Sequence, residues 1–241
     1  MVTCLRPDTR LKISLTKEGQ LQKAGLLDGV STWNAWDDHR HAPIVNGQDR
    51  TPLQVMLDWI NLLTGNPMEK PGVEIGHYQE RKIFWLAGDT DLGKTHLAKI
   101  TVVLYAILTD SNAAFCVWPD KINAIMDGFS AARNGERYER EHFFQEKNAD
   151  ILVIDDLTLA KWSSFRADKL FSLLEHRRFK PTLITSNYLI DAFNEGVGIS
   201  RVREDDETTL RTMGDRIKSR LQPTRRVMAQ IVLQPEITND K

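Results

Sequence analysis

Between residues 81 and 187 short apolar runs alternate with longer stretches of mixed polarity. The runs "RKIFWLAG" (81–88), "NAAFCVWP" (112–119), "DILVIDDL" (150–157) and "PTLITSN" (181–187) predict strands, and "RVMAQIVL" (226–233) predicts a fifth. Between them the pattern predicts helices over about 94–108, 120–147 and 165–178. Strand and helix alternating at this spacing predict an α/β fold, a mostly parallel sheet covered on both faces. The uninterrupted apolar runs Ile151–Ile154 and Leu183–Ile184 fit central strands buried on both sides.

Upstream, "DRTPLQVMLDWINLLTGN" predicts a helix. Thr51 is placed as its N-cap and Pro52 in the first turn, Leu53, Met56, Ile60 and Leu63 share one face, and Gly65 ends it. "NPMEKPG" follows as a turn-rich linker, and "EGVGISRVREDDETT" (195–209) reads as an exposed acidic loop. Residues 1 to about 30 show only weak alternation, and 1–50 read as an N-terminal extension, a candidate partner-binding arm, ahead of a main domain over 51–241. No internal repeat or low-complexity tract is visible.

Composition changes this picture little. In 241 residues, 32 Lys+Arg balance 33 Asp+Glu, so any site for a polyanion must be a local patch. Cys4 and Cys116 have no metal-like spacing, which fits a reducing compartment and argues against a structural zinc or a disulfide framework. Neither a signal peptide nor a bilayer-spanning run is legible, so the expectation is a cytoplasmic protein.

The chemistry concentrates at the ends of the strands. "LAGDTDLGKTHLA" contains Gly88, four residues, then Gly93-Lys94-Thr95, the P-loop spelling, between a predicted strand and a predicted helix. Glycines let the backbone close on phosphate oxygens, which its N–H groups and the positive helix end then hold. Lys94 supplies a mobile charge for the β- and γ-phosphates, and Thr95 supplies a hydroxyl ligand for Mg²⁺. The whole loop, Gly88, Asp89, Thr90, Asp91, Leu92, Gly93, Lys94, Thr95 and His96, is the candidate ATP cradle. Asp89 and Asp91 bring negative charge to it and are expected to point outward, and His96 reads as a first-turn helix residue. "ILVIDD" delivers Asp155 to a strand's C-terminal end, where open α/β sheets place ligands. Asp155 would hold Mg²⁺ through water, and Asp156 would polarise the attacking water as general base. "TLITSN" repeats the device with Thr185, Ser186 and Asn187. Asn187 is either a turn former or the group that orients the water or touches the γ-phosphate.

Together "LAGDTDLGKTHLA", "NADILVIDDL", "PTLITSN" and "MGDRIKSRL" (213–221) resemble, in order, the AAA+ ATPases, and more narrowly the DnaC-type helicase loaders and the related IstB-type transposition ATPases. The resemblance covers about residues 50–235. It implies an αβα sandwich with a parallel five-stranded sheet in the order 5-1-4-3-2, and homo-oligomers with ATP between neighbours. Arg216 and Arg220 lie four apart, on one helix face. The resemblance implies that Arg220 is a trans-acting arginine finger for the adjacent subunit's γ-phosphate, with Arg216 as its companion. It also implies a replicative helicase or a transposase as partner. The short N-terminal region and the acidic loop depart from the loader pattern.

The family also implies a single-stranded DNA grip in "DKINAIMDGFSAARNGERYEREHFFQEK" (120–147). Lys121, Arg133, Arg137 and Arg140 are interleaved there with Phe129, Tyr138, Phe143 and Phe144, cations for the backbone and rings for stacking. Glutamates at 136, 139, 141 and 146 fit equally a salt-bridged, solvated helix pair. "EHRRFK" (175–180) is read as a solvated helix end, and Trp33, Trp36 and Trp59 as packing residues. The functional expectation is an ATPase that loads a helicase on single-stranded DNA, with a transposition helper acting on duplex DNA as the alternative. A small-molecule kinase and a non-hydrolysing ATP-switched adaptor are the readings from other classes.

Overall fold

A computed structural model describes residues 15–27, 51–65, 82–131, 143–158, 162–193, 215–221 and 227–233. Its elements are α1 (Leu15–Lys23), α2 (Pro52–Leu63), β1 (Ile83–Gly88), α3 (Lys94–Thr109), β2 (Ala113–Val117), α4 (Trp118–Ala131), α5 (Phe144–Asn148), β3 (Ile151–Asp155), α6 (Ser164–His176), β4 (Thr182–Ser186) and β5 (Val227–Leu233), with a helical turn over 215–221 between the last two.

The five strands form one sheet in the order β2-β3-β4-β1-β5, and every neighbouring pair is parallel. The unbroken apolar runs need this placement, because side chains alternate across a strand and both faces must then be covered. Ile83, Trp85, Ala87, Leu152, Ile154 and Ile184 join one core with Ile122 and Ile125 of α4 and Leu170, Leu173 and Leu174 of α6. Their alternates Phe84, Leu86, Ile151, Val153 and Leu183 join a second core with α2 and α3. One apolar sequence thus feeds two layers.

α2 begins as its sequence requires. Thr51 Oγ1 accepts from Gln54 N–H while Gln54 Oε1 accepts from Thr51 N–H, a reciprocal capping box. Trp59 is fully buried against Phe84, ring centroids 5.1 Å apart, as a packing residue. From the N-terminal region, Leu21 of α1 and Leu26 of the turn after it join the second core, and Lys17 Nζ donates to Ser111 O at 2.6 Å. The strand predicted over 112–119 ends earlier, because Trp118 and Pro119 open α4. Among the described residues no helix is long and apolar enough to cross a membrane. The loop 195–209, Cys4, Trp33, Trp36, Arg133, Arg137, Tyr138 and Arg140 lie outside the described residues.

Candidate nucleotide site

The register of the central strands sets the site. Ala87 pairs with Ser186 and Ile154 with Ile184, so β1, β3 and β4 end side by side. Gly88, Asp155, Asp156 and Asn187 sit at those ends. Gly88 has φ +147, and a Cβ there would lie 2.8 Å from Leu233 O of β5. Only glycine lets the chain leave the sheet at this point. Asp91 follows in the left-handed region (φ 65), which aspartate tolerates better than most residues, and Gly93 takes the same region (φ 78) as N-cap of α3. No side chain caps α3, so its first-turn N–H groups face the loop's concavity.

Lys94 turns back across this loop, donating to Gly88 O at 2.9 Å and Asp89 O at 2.6 Å. Burial lowers the Lys94 pKa, while the carboxylates of Asp155, Asp156, Asp89 and Asp91 act in the opposite direction. Asp89, Thr90 and Asp91 are exposed, and Leu92 packs its side chain on the second core. His96 is half-buried in the first turn of α3, its pKa lowered by burial and then by Lys99.

Asp155 is the buried centre of the constellation, 6% exposed. Thr95 Oγ1 donates to both its oxygens, at 2.8 and 3.1 Å, and Thr185 Oγ1 donates to Oδ1 at 2.7 Å. The same Thr185 oxygen accepts the Asp156 N–H at 2.9 Å. Asp156 is exposed with φ +54, so the chain turns sharply between the two carboxylates. Thr185 therefore fixes both aspartates. Sequence reading gave it no role of its own, because that role depends on the β3–β4 register. Its signal was a hydroxyl inside an apolar strand, 1% exposed and needing partners. Asn187 is exposed one residue past β4.

Burial pushes the Asp155 carboxyl above its usual range. Bonds from Thr185 and Thr95 lower it, Asp156 raises it, and Lys99 lowers it. A carboxyl held higher in the folded chain than in the unfolded one loses stability as pH rises from 3.8 through the raised value. Asp155→Asn removes that titration, and its amide oxygen still accepts both hydroxyls. The ligand-free variant is expected to melt above the parent, with a gap that widens as pH leaves the acid range and then levels off. Thermal melts from acid to neutral pH check this. A gap independent of pH would show that the carboxylate carries no burial penalty.

The residues fit MgATP. A hydroxyl and a carboxylate from elements 60 residues apart meet beside an uncapped helix end and a lysine. Thr95 and Asp155 are the groups that could hold the metal.

Arg216 and Arg220 lie elsewhere in the chain, on the 215–221 helix against α6. Ile217 and Leu221 of that helix are fully buried. The guanidinium carbons of Arg216 and Arg220 lie 4.0 and 5.2 Å from the Phe171 ring centroid, and Arg220 Nε is hydrogen-bonded and ion-paired with Glu175 Oε2. Of the candidate DNA grip, Lys121 pairs with the buried Glu146, and Phe143 is buried against Trp118 at 6.3 Å. Phe144 is exposed.

No family model matches the chain, and no curated protein matches it. Among solved structures, the crystal structure of DnaI is similar, at 18% identity over 79% of this chain and 88% of that one, with a TM-score of 0.53. The replication initiator DnaA bound to AMPPCP and single-stranded DNA is similar at 14% identity over 79% of this chain and 48% of that one, TM-score 0.50. The crystal structure of the DnaC helicase loader aligns at 18% identity over 76% and 91%, TM-score 0.47. In its parallel sheet and covering helices the chain has the α/β fold of DnaI and DnaA.

Proposed function

We propose that this chain is an ATPase of the helicase-loader type, hydrolysing ATP to ADP and phosphate in a centre completed by a second copy of itself. The observation that carries the reading is the contact of Thr95 with Asp155, and through Thr185 with Asp156, at the mouth of the Lys94 loop. In this reading the loop amides from Gly88 to His96 hold the phosphates, and Lys94 leaves its two carbonyls for the β- and γ-oxygens. Thr95 and Asp155 would hold Mg²⁺, which would supply positive charge against the triphosphate. Asp156, held by Thr185, accepts the proton of the attacking water, and Asn187 orients that water. Arg220, with Arg216 beside it, reaches the neighbouring copy's γ-phosphate.

An aspartate and an asparagine at adjacent strand ends suit water as the nucleophile better than an acceptor substrate, which favours hydrolysis over a kinase. Residues 51–241 form the ATPase domain in this reading, and 1–50 the partner-binding arm, with α1 anchoring that arm on the core. Single-stranded DNA, a replicative helicase and a cytoplasmic setting follow from the resemblance to loaders.

Mixing tests the engine. Arg220→Ala, expected to lose about 10³-fold or more in rate, and Asp156→Ala, expected to lose about 10²- to 10⁴-fold, should recover part of the activity together, because some interfaces regain both groups. No recovery at concentrations that support assembly would remove the shared centre. Affinity capture from the native cell with a slowly hydrolysed ATP analogue tests the partner. A hexameric helicase supports the loader reading, and a transposase replaces it with the transposition-helper reading.

A further inference from the structure

We infer that Glu175, backed by the Phe171 ring, is a positioning residue that aims Arg220 at the nucleotide of a neighbouring copy. This rests on the proposed trans role of Arg220 and adds to it the group that sets its pose. The 215–221 helix is anchored by Ile217 and Leu221, both fully buried, so Arg216 and Arg220 project from its flank along a second i, i+4 line. Their guanidinium carbons lie 4.0 and 5.2 Å from the Phe171 centroid. Phe171 is itself 9% exposed, on a helix pinned by buried Leu170, Leu173 and Leu174. The ring is therefore a fixed platform.

Two cations on one ring repel each other, and Glu175, 45 residues away in sequence, supplies the opposing charge. Its carboxylate takes the Nε edge of Arg220, while among the described residues the Nη edge has only a 3.5 Å contact with Ser219 Oγ. A guanidinium is a planar fork, so fixing one edge sets the direction of the other. The Arg220 and Glu175 side chains are 25% and 37% exposed, and ion pairs so placed add little to stability. What the pair provides is preorganisation of a charge aimed at a developing charge. An open cavity of about 420 Å³, lined by Asp168, Phe171, Ser172, Glu175, His176 and Arg216, lies beside this cradle, so among the described residues none of the core packs on its outer side.

Complementation separates this role from a structural one. Glu175→Ala, and the isosteric Glu175→Gln, are expected to lower kcat by about 10- to 100-fold, the scale of a misaimed catalytic group. KM for ATP and the melting temperature should stay near those of the parent. Adding Glu175→Ala to Arg220→Ala should cost nothing further, since the first acts through the second. Mixed with Asp156→Ala, the Glu175 variants should recover activity, because the Asp156→Ala copies bring intact arginine cradles to intact pockets. Mixed with Arg220→Ala they should not. Failure of the Arg220→Ala and Asp156→Ala pair to recover would remove the underlying shared-centre reading. Recovery of that pair together with full activity of both Glu175 variants, rescue of them by Arg220→Ala, or loss that tracks a lowered melting temperature in both would overturn the role of Glu175 alone.

Discussion

Lys94→Ala is expected to lower ATP hydrolysis by at least about a hundredfold and to weaken MgATP binding by at least about tenfold, or about 1.4 kcal/mol, while the protein stays folded. The ammonium is the only cation bonded within the loop among the described residues, and four carboxylates act on it. Asp89, Asp91, Asp155 and Asp156 would otherwise present an anionic surface to a polyphosphate, so here the lysine offsets repulsion as well as attracting phosphate. Its two present acceptors are backbone carbonyls, which lose only one donor each at a partly solvated site, hence the small expected effect on folding. Lys94→Arg should not restore activity, because a planar fork does not replace a compact ammonium inside a tight turn. Binding of a fluorescent ATP analogue, phosphate release and a thermal melt check the three parts. Retention of hydrolysis within a few-fold would mean that the loop does not cradle the triphosphate.

Most of this centre is legible in the sequence because its determinants are local. The glycines, Lys94 and Thr95 sit within eight residues, and Asp155 closes an apolar run whose length already marks a buried strand. What escapes sequence reading depends on which residues meet across the fold. Thr185 bridges two aspartates because β3 and β4 pair in one register, and a shift by one residue would turn its hydroxyl to the opposite face. Glu175 reaches Arg220 only because the 215–221 helix docks on α6. Adjacent residues can also have opposite fates, as with Phe143, buried, and Phe144, 65% exposed. The two stand at the start of α5, Phe143 as its N-cap and Phe144 in its first turn, a boundary that the helical pattern of 120–147 does not mark.

The pair Arg177 and Arg178 is the sharpest such case and carries the largest expected effect on stability. In "EHRRFK" both read as solvated helix-end cations, and Arg178 is indeed exposed, its guanidinium carbon 5.1 Å from the Phe179 centroid. Arg177 is 2% exposed. Its Nε donates to Thr182 Oγ1 at 3.0 Å, Nη1 to Glu146 O and Ala149 O at 2.7 Å each, and Nη2 to Pro181 O at 2.7 Å. One guanidinium thus ties the end of α6 to the α5 turn and to the entry of β4. Burial pushes its pKa down to about 10, against the pull of Asp150 and Glu146, so it remains a cation at neutral pH. Arg177→Met keeps an apolar stem of similar length but takes the guanidinium donor from the buried carbonyls of Glu146 and Ala149, while Pro181 O keeps the Leu152 N–H. The expected loss is about 3–5 kcal/mol, a large part of the 5–15 kcal/mol or so that holds a typical domain together, and a melting temperature lower by roughly 10 °C. Arg178→Met should stay within about 0.5 kcal/mol of the parent. Urea titration and thermal melts of the two variants side by side give the comparison. Equal, small losses would mean that the carbonyls find water and that the clamp is dispensable.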